Sequence, residues 1–130
     1  MLNVLIVDDE EDICDFLKEQ IESLGYHAMT TLSGELSLKM IDEKEIHLAI
    51  IDLRLLTAVT GLDVIRYVYK KWPAAAVIAM SGYVDIRLRQ EAGKAGIQGY
   101  LVKPDDVQPG VFKGKIQKIM EEHRKKYFIL

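Results

Sequence analysis

Cysteine is almost absent from this sequence, which has only Cys14 in 130 residues. A single thiol excludes an internal disulfide framework and fits a reducing compartment. No apolar run approaches the roughly 20 residues needed to cross a bilayer. The N-terminus shows no basic region followed by an apolar core and a small-residue cleavage site, so no secretion signal is visible. These absences predict a cytoplasmic protein that does not enter a membrane.

An excess of positive charge is also missing. Seventeen Lys and Arg residues stand against 20 Asp and Glu residues, for a formal net charge of −3. This balance gives no electrostatic reason to expect direct contact with nucleic acid or an anionic membrane. The three histidines, His27, His47 and His123, are isolated and show no metal-ligand spacing. They are best interpreted as surface or packing residues.

What is present is an alternation of short apolar runs and amphipathic stretches. The apolar runs predict strands over residues 3–7, 26–31, 47–51, 75–80 and 99–102. The stretches between them predict helices over 11–24, 34–43, 61–71, 84–95 and 109–126. This order implies right-handed crossovers and a parallel sheet with helices on both faces. The fold class is therefore α/β, a doubly wound (βα)5 domain over residues 1–126. Residues 127–130 are expected to be a short tail or the start of a linker.

The same periodicity predicts which side chains face the core. Ser33 is the expected N-cap of the second helix, whose Leu36, Met40 and Ile41 should point inward. The last helix should bury an apolar face made of Val111, Phe112, Ile116, Ile119 and Met120. The second strand is the least apolar and is expected near a sheet edge.

Acidic residues follow two of the predicted strands. Leu48–Ile51 runs into Asp52, and Val4–Val7 runs into Asp8 and Asp9. Because parallel strands present their carboxyl ends at one edge of a sheet, these carboxylates should converge there. Their mutual repulsion calls for a cation, and hard oxygen ligands suit Mg²⁺ or Mn²⁺. Taken alone, the acids after the first strand could equally be the favourable negative first turn of a helix.

Further polar residues stand at the ends of the fourth and fifth strands, namely Ser81-Gly82 and Lys103-Pro104. With Val7-Asp8-Asp9-Glu10 and Asp52, they form a pattern that resembles the response-regulator receiver family, the CheY-like phosphoacceptor domains of two-component signalling. The resemblance covers essentially the whole chain. Each motif alone is weak, but the five together, in this order and at strand ends, are specific.

The resemblance implies a flavodoxin-like sheet with strand order 2-1-3-4-5 and a phosphorylated Asp52. The phosphoryl group would come from a sensor histidine kinase or a histidine phosphotransfer protein. The Arg54 carbonyl would complete the Mg²⁺ shell formed by Asp8, Asp9 and Asp52. Ser81 and Lys103 would contact phosphoryl oxygens as catalytic groups, joined by the Gly82 amide. Such a domain catalyses only its own phosphorylation and autodephosphorylation and is not an enzyme acting on an external metabolite.

Signalling is also implied by the resemblance. Phosphorylation would draw Ser81 inward and couple it to Tyr100 as a switch pair. The fourth helix, fifth strand and fifth helix would present the output surface to a downstream protein or, on phosphorylation, to a second copy. The Lys103–Pro104 peptide bond is expected to be cis.

The sequence departs from the family pattern in two places. Leu56 stands where a Pro is usual, and Gly61 lies nine residues after Asp52, so that this loop is one residue longer. After Pro104, Asp105-Asp106 replace the usual apolar residue, and Pro109-Gly110 delay the last helix. An altered loop leaves open a binding-only pseudo-receiver that is not controlled by phosphorylation. A Mg²⁺-dependent phosphohydrolase is disfavoured, because Arg54 occupies the place of its general acid.

Overall fold

Five strands and five helices alternate along the chain. The structure is a computed structural model that describes residues 1–82 and 84–127, with side chains through residue 125. In chain order the elements are β1 (Asn3–Val7), α1 (Glu11–Ser23), β2 (His27–Thr31), α2 (Gly34–Glu43), β3 (Leu48–Asp52), α3 (Gly61–Lys71), β4 (Ala76–Ser81), α4 (Ile86–Lys94), β5 (Gly99–Val102) and α5 (Phe112–Tyr127).

The strands form one parallel sheet in the order β2-β1-β3-β4-β5. The predicted fold and strand order are confirmed, and β2 lies at an edge as expected. In the register of the sheet, Val7 pairs with Ile51 and Asp52 pairs with Met80. The carboxyl ends of β1, β3 and β4 are therefore level, and the residues that follow these strands meet at one edge.

Both faces of the sheet are covered by helices. Alternate β1 residues point to opposite sides, with Val4 and Ile6 in one cluster and Leu5 and Val7 in the other. The first cluster is closed by buried residues of α1 and α5, and the second by those of α2, α3 and α4. All five residues of β3 are buried, as its nearly continuous apolar sequence predicts for a central parallel strand. Among the described residues, no helix is both long and apolar enough to span a membrane.

The start of α3 fixes the end of the long loop after β3. The Thr60 side chain accepts a hydrogen bond from the Asp63 amide, and Asp63 accepts one from the Thr60 amide, which is a capping box. A Cβ at Gly61 would overlap the carbonyl oxygen of Asp52 and the Cα of Leu53. Glycine is therefore required where α3 begins, because the helix packs directly against the backbone of the strand end.

Two predicted core positions are wrong. Leu36 is 57% exposed, because α2 turns Gly34 and Ser37 inward beside Ile41, whose predicted burial is confirmed. Val111 is 41% exposed and precedes α5.

The last helix begins three residues later than predicted. Gly110 has a φ of +84°, outside the right-handed helical region, so α5 starts at Phe112. The helix reaches Tyr127, the first residue of the predicted tail, and residues 128–130 of that tail lie outside the described residues.

Candidate functional site

Three carboxylates meet at the carboxyl edge of the sheet. Asp8 and Asp9 follow β1, Asp52 ends β3, and one oxygen from each lies within 4.8 Å of the others. Asp8 is fully buried and Asp52 is 3% exposed, whereas Asp9 is only partly buried. The site thus has a buried floor and an open side. Hard oxygen donors at this spacing suit a small divalent cation.

Lys103 supplies the positive charge nearest to these acids. Its Nζ lies 2.6 Å from Asp8 Oδ2 and 3.2 Å from Asp52 Oδ2. The Lys103 amide donates to the Ser81 carbonyl at 2.9 Å, which fixes the residue beside the end of β4. Burial acts to lower the pKa of Lys103, but its contacts with Asp8 and Asp52 outweigh that effect and raise it. The ammonium group therefore stays charged between the two carboxylates.

The Lys103 ammonium does not fully offset the negative charge of the Asp8 carboxylate. Burial, reinforced by the nearby Asp52 charge, raises the pKa of Asp8 to about 6 despite contacts with Lys103 and the Glu10 amide. Asp8 Oδ2 is buried and accepts no hydrogen bond of good geometry within the described part of the chain; it has only the ion pair with Lys103. A buried carboxylate oxygen whose charge is only partly offset by one ammonium group fits a site for a metal ion bound directly or through water.

The loop after Asp52 folds back over the acids. The Arg54 amide donates to Asp52 Oδ1 at 2.9 Å, and the Leu56 amide donates to Asp9 Oδ2 at 3.3 Å. The loop is thereby tied to two of the three acids, while its outer part contacts α2. The role of the Arg54 carbonyl as a metal ligand stays a prediction.

Ser81 and Gly82 lie at the end of β4, but the Ser81 hydroxyl and the Gly82 amide already have hydrogen-bond partners within the protein. The hydroxyl groups of Ser81 and Tyr100 share a hydrogen bond. The Gly82 amide donates to Asp85 Oδ2 at 3.2 Å. The Arg89 guanidinium of α4 lies 4.5 Å from the centroid of the Tyr100 ring, in cation–π contact. Ser81 and Tyr100 are therefore linked to each other and, through Arg89, to α4.

A family model described as the response regulator receiver domain matches residues 4–110. The chain belongs to this family. Among similar proteins, a putative response regulator NtrX-like from Rickettsia typhi is 33% identical over 104 residues, which cover 79% of this chain and 22% of that protein. The transcriptional regulatory protein ZraR from Escherichia coli strain K12 is 29% identical over 105 residues, which cover 81% of this chain and 24% of ZraR.

Solved structures agree on the fold of the receiver domain. A CheY-like response regulator receiver domain protein from Methanospirillum hungatei has a TM-score of 0.87 at 27% identity, covering 97% of this chain and 98% of that one. NtrX from Brucella abortus, in complex with ADP, gives a TM-score of 0.84 at 23% identity over 99% of this chain and 29% of NtrX. This receiver domain spans about a quarter or less of the NtrX-like and ZraR relatives.

The two family departures of this receiver domain have structural explanations. Asp106 accepts a hydrogen bond from the Val102 amide and an ion pair from Lys115, each at 2.8 Å, and so ties β5 to α5. Directly before the Asp105-Asp106 pair, the Lys103–Pro104 peptide bond is cis, as the family resemblance implies. The longer loop is held by α2, as the Glu35 carboxylate accepts from the Val59 amide at 2.9 Å.

Sequence reasoning did not identify Asp85 or Arg89, both of which contact the predicted site residues of the receiver domain. Asp85 stands directly before α4, where an Asp signals an N-cap, so its position could have been noticed but only as a structural cap. Arg89 gives no signal, because an Arg on a helix is ordinarily a solvated surface residue.

Proposed function

We propose that Asp52 accepts a phosphoryl group from the phosphohistidine of a sensor histidine kinase or a histidine phosphotransfer protein. The observation that carries this proposal is the convergence of Asp8, Asp9, Asp52 and Lys103 within contact distance at one sheet edge. Membership in the receiver family and the match over residues 4–110 support it. Phosphoryl transfer needs positioning and neutralisation of charge more than covalent machinery, and these residues supply both.

In the reaction, a carboxylate oxygen of Asp52 forms a bond to phosphorus while the phosphorus–nitrogen bond of the donor histidine breaks. The product is an acyl phosphate, and the released imidazole takes up a proton. Asp52 Oδ1 is held by the Arg54 amide, whereas Oδ2 faces the Lys103 ammonium. Lys103 can follow the transferred group by binding one of its oxygens, because its flexible side chain carries a single compact charge.

Mg²⁺ or Mn²⁺ would be held by Asp9, Asp52, the Arg54 carbonyl and, partly through water, Asp8. When bound, the ion would offset the negative charge that accumulates on the phosphoryl oxygens. The incompletely compensated Asp8 and the open side at Asp9 support such a site.

Phosphorylation of Asp52 would then be transmitted through Ser81 and Tyr100. Ser81 is already hydrogen-bonded to Tyr100, and the Tyr100 ring contacts Arg89 of α4. The resulting change would alter the surface formed by α4, β5 and α5, which would bind a downstream protein or a second phosphorylated copy. The domain would act in the cytoplasm by protein contact, without binding nucleic acid itself.

The test is incubation with acetyl phosphate and Mg²⁺, followed by intact-mass measurement. One phosphoryl adduct is expected in the wild type and none in Asp52→Asn, whereas Asp12→Asn on the exposed surface of α1 should be phosphorylated normally. A wild type that forms no adduct would support the binding-only pseudo-receiver. Sustained hydrolysis of added phosphomonoesters would instead support a phosphohydrolase.

A further inference from the structure

Asp85 is a buried carboxylate that stands at a helix N-terminus without capping it. The residue is 5% exposed and occupies the N-cap position of α4. An Asp at this position ordinarily accepts a hydrogen bond from an amide in the first turn of the helix. Here the side chain accepts none from α4. Its carboxylate is directed away from its own helix, so some other interaction must stabilise it.

That interaction is with the phosphoacceptor site. Asp85 Oδ1 accepts from Arg54 Nε at 2.5 Å, and Oδ2 accepts from the Gly82 amide at 3.2 Å. The Arg54 backbone, in turn, donates to Asp52. Asp85 thus bridges the loop after β3 and the loop after β4, the two segments beside the phosphoacceptor.

The donors that hold Asp85 are ones that suit a phosphoryl group. A backbone amide and a guanidinium are both strong donors to phosphate oxygens. The Gly82 amide is the group expected to contact a phosphoryl group on Asp52, and the Arg54 side chain is 64% exposed and able to move. A phosphorylated Asp52 would therefore compete with Asp85 for the same amide.

We propose that Asp85 is a positioning residue that competes with the phosphoryl group. It binds the Gly82 amide and the Arg54 guanidinium until Asp52 is phosphorylated, and these two donors then bind the phosphoryl oxygens instead. This inference rests on the proposed phosphoacceptor function and deepens it. On release, the Asp85 carboxylate turns to α4 and accepts a hydrogen bond from the Leu88 amide, the third residue of the helix. Occupation of the phosphoryl site is thereby coupled to the capping of α4, the helix that also carries Arg89 against Tyr100.

The competition is tested by titrating beryllofluoride with Mg²⁺, as a stand-in for the phosphoryl group, followed by ¹⁵N NMR of the Gly82 amide. Asp85→Asn keeps the side-chain shape but lacks the charge that pairs with Arg54, so it should bind beryllofluoride about tenfold more tightly than the wild type. Asp106→Asn is the matched control. Asp106 also accepts one backbone amide and one cation, but these lie on β5 and α5. The Asp106→Asn variant should bind beryllofluoride with the affinity of the wild type.

A second measurement uses the wild type and does not depend on the stability of a variant. Hydrogen exchange at the Leu88 amide of the wild type should slow when beryllofluoride binds. Equal affinity of Asp85→Asn and the wild type, or unchanged Leu88 exchange in a wild type that binds, would overturn the competition alone. A wild type that neither binds beryllofluoride nor forms an acyl phosphate would overturn the phosphoacceptor function and the competition with it.

Discussion

The Val59 amide donates a hydrogen bond of 2.9 Å to Glu35 Oε1, joining the long loop after β3 to the first turn of α2. The same turn makes a second contact, in which the Gly34 amide donates to Thr57 Oγ1 at 3.3 Å. A Cβ at Gly34 would overlap the Val59 carbonyl, so the loop lies directly on the helix backbone. The loop has Leu56 where the family usually has a proline, and its contacts with α2 fix its position.

Weakening this contact should reduce metal affinity. The loop also donates to Asp9 and Asp52, so its path helps to place these two proposed metal ligands. Glu35→Ala should weaken Mn²⁺ binding about two- to threefold, a small effect because the bond is exposed to solvent. Glu35→Gln retains a carbonyl oxygen that can accept from Val59 and should bind Mn²⁺ as the wild type does. Isothermal titration calorimetry measures both affinities.

Two outcomes would contradict this account of the loop. Equal Mn²⁺ affinity in Glu35→Ala and the wild type would show that the α2 contact does not position the ligands. Equal loss in Glu35→Ala and Glu35→Gln would assign the effect to the charge of Glu35 and not to its hydrogen bond.

The residues that could be predicted are those whose position follows from the sheet. Asp8, Asp52 and Lys103 could be brought together from sequence because each stands at the carboxyl end of a strand, and parallel strands share that edge. The ends of α1 and α4 could be predicted too, because a glycine commonly follows a helix C-terminus, and Gly25 and Gly96 both have the positive φ, +91°, that glycine adopts without strain.

The contacts between loops could not be predicted, because the path of a loop leaves no periodic pattern in the sequence. Asp85 meets Arg54, and Glu35 meets Val59, only because two loops and a helix turn fold over the sheet edge. Neither pair lies at a spacing that marks a contact. Leu36 shows that residue type can mislead within a helix, because the buried residues Gly34, Ser37 and Ile41 follow helical spacing and the apolar Leu36 lies off that stripe.

Removing the Lys103 charge should destabilise the metal-free domain. Lys103→Met keeps the apolar length of the side chain but leaves Asp8 and Asp52 without their cation. Breaking a largely buried ion pair typically costs about 3 kcal/mol or more, and protonation of Asp8 will relieve part of this, so we expect a loss of about 2 kcal/mol at neutral pH. Urea unfolding measures the free energy, and saturating Mg²⁺ should restore most of the loss. A variant as stable as the wild type without metal would refute the proposed role of Lys103 in charge compensation.

Gly61→Ala should destabilise the protein, whereas alanine at the two helical glycines with free space around them, Gly93 and Gly114, should not. The added Cβ would overlap the Asp52 carbonyl, so the loop or α3 must shift, at an expected cost of about 2 kcal/mol or more. Gly93 in α4 and Gly114 in α5 have no atom within 4 Å of such a Cβ. Alanine at either position should stabilise the protein by about 0.5–1 kcal/mol through helix propensity. Equal thermal unfolding temperatures for the three variants would contradict the packing of α3 on Asp52.

Asp8 should give the metal-free domain a distinctive pH dependence. Its pKa is raised from 3.8 to about 6, chiefly by burial, so the folded protein binds this proton more tightly than the unfolded chain. Neutral Asp8 therefore contributes stability that is fully present below about pH 4 and is lost as the pH rises through about 6. The difference between the two pKa values corresponds to about 3 kcal/mol at most.

The measurement is urea unfolding of the metal-free wild type and Asp8→Asn at intervals from about pH 4 to pH 8. The asparagine side chain of this variant cannot titrate, and the other groups are common to both proteins, so the difference between the two curves isolates Asp8. The stability of the wild type relative to Asp8→Asn should fall as the pH rises from about 4 and level off above about 7. With Mg²⁺ present the trend should reverse, because the ion and the proton compete for the carboxylate and metal affinity in the wild type rises until Asp8 is ionised. Parallel curves for the two metal-free proteins would show that Asp8 is not held in a proton-binding environment.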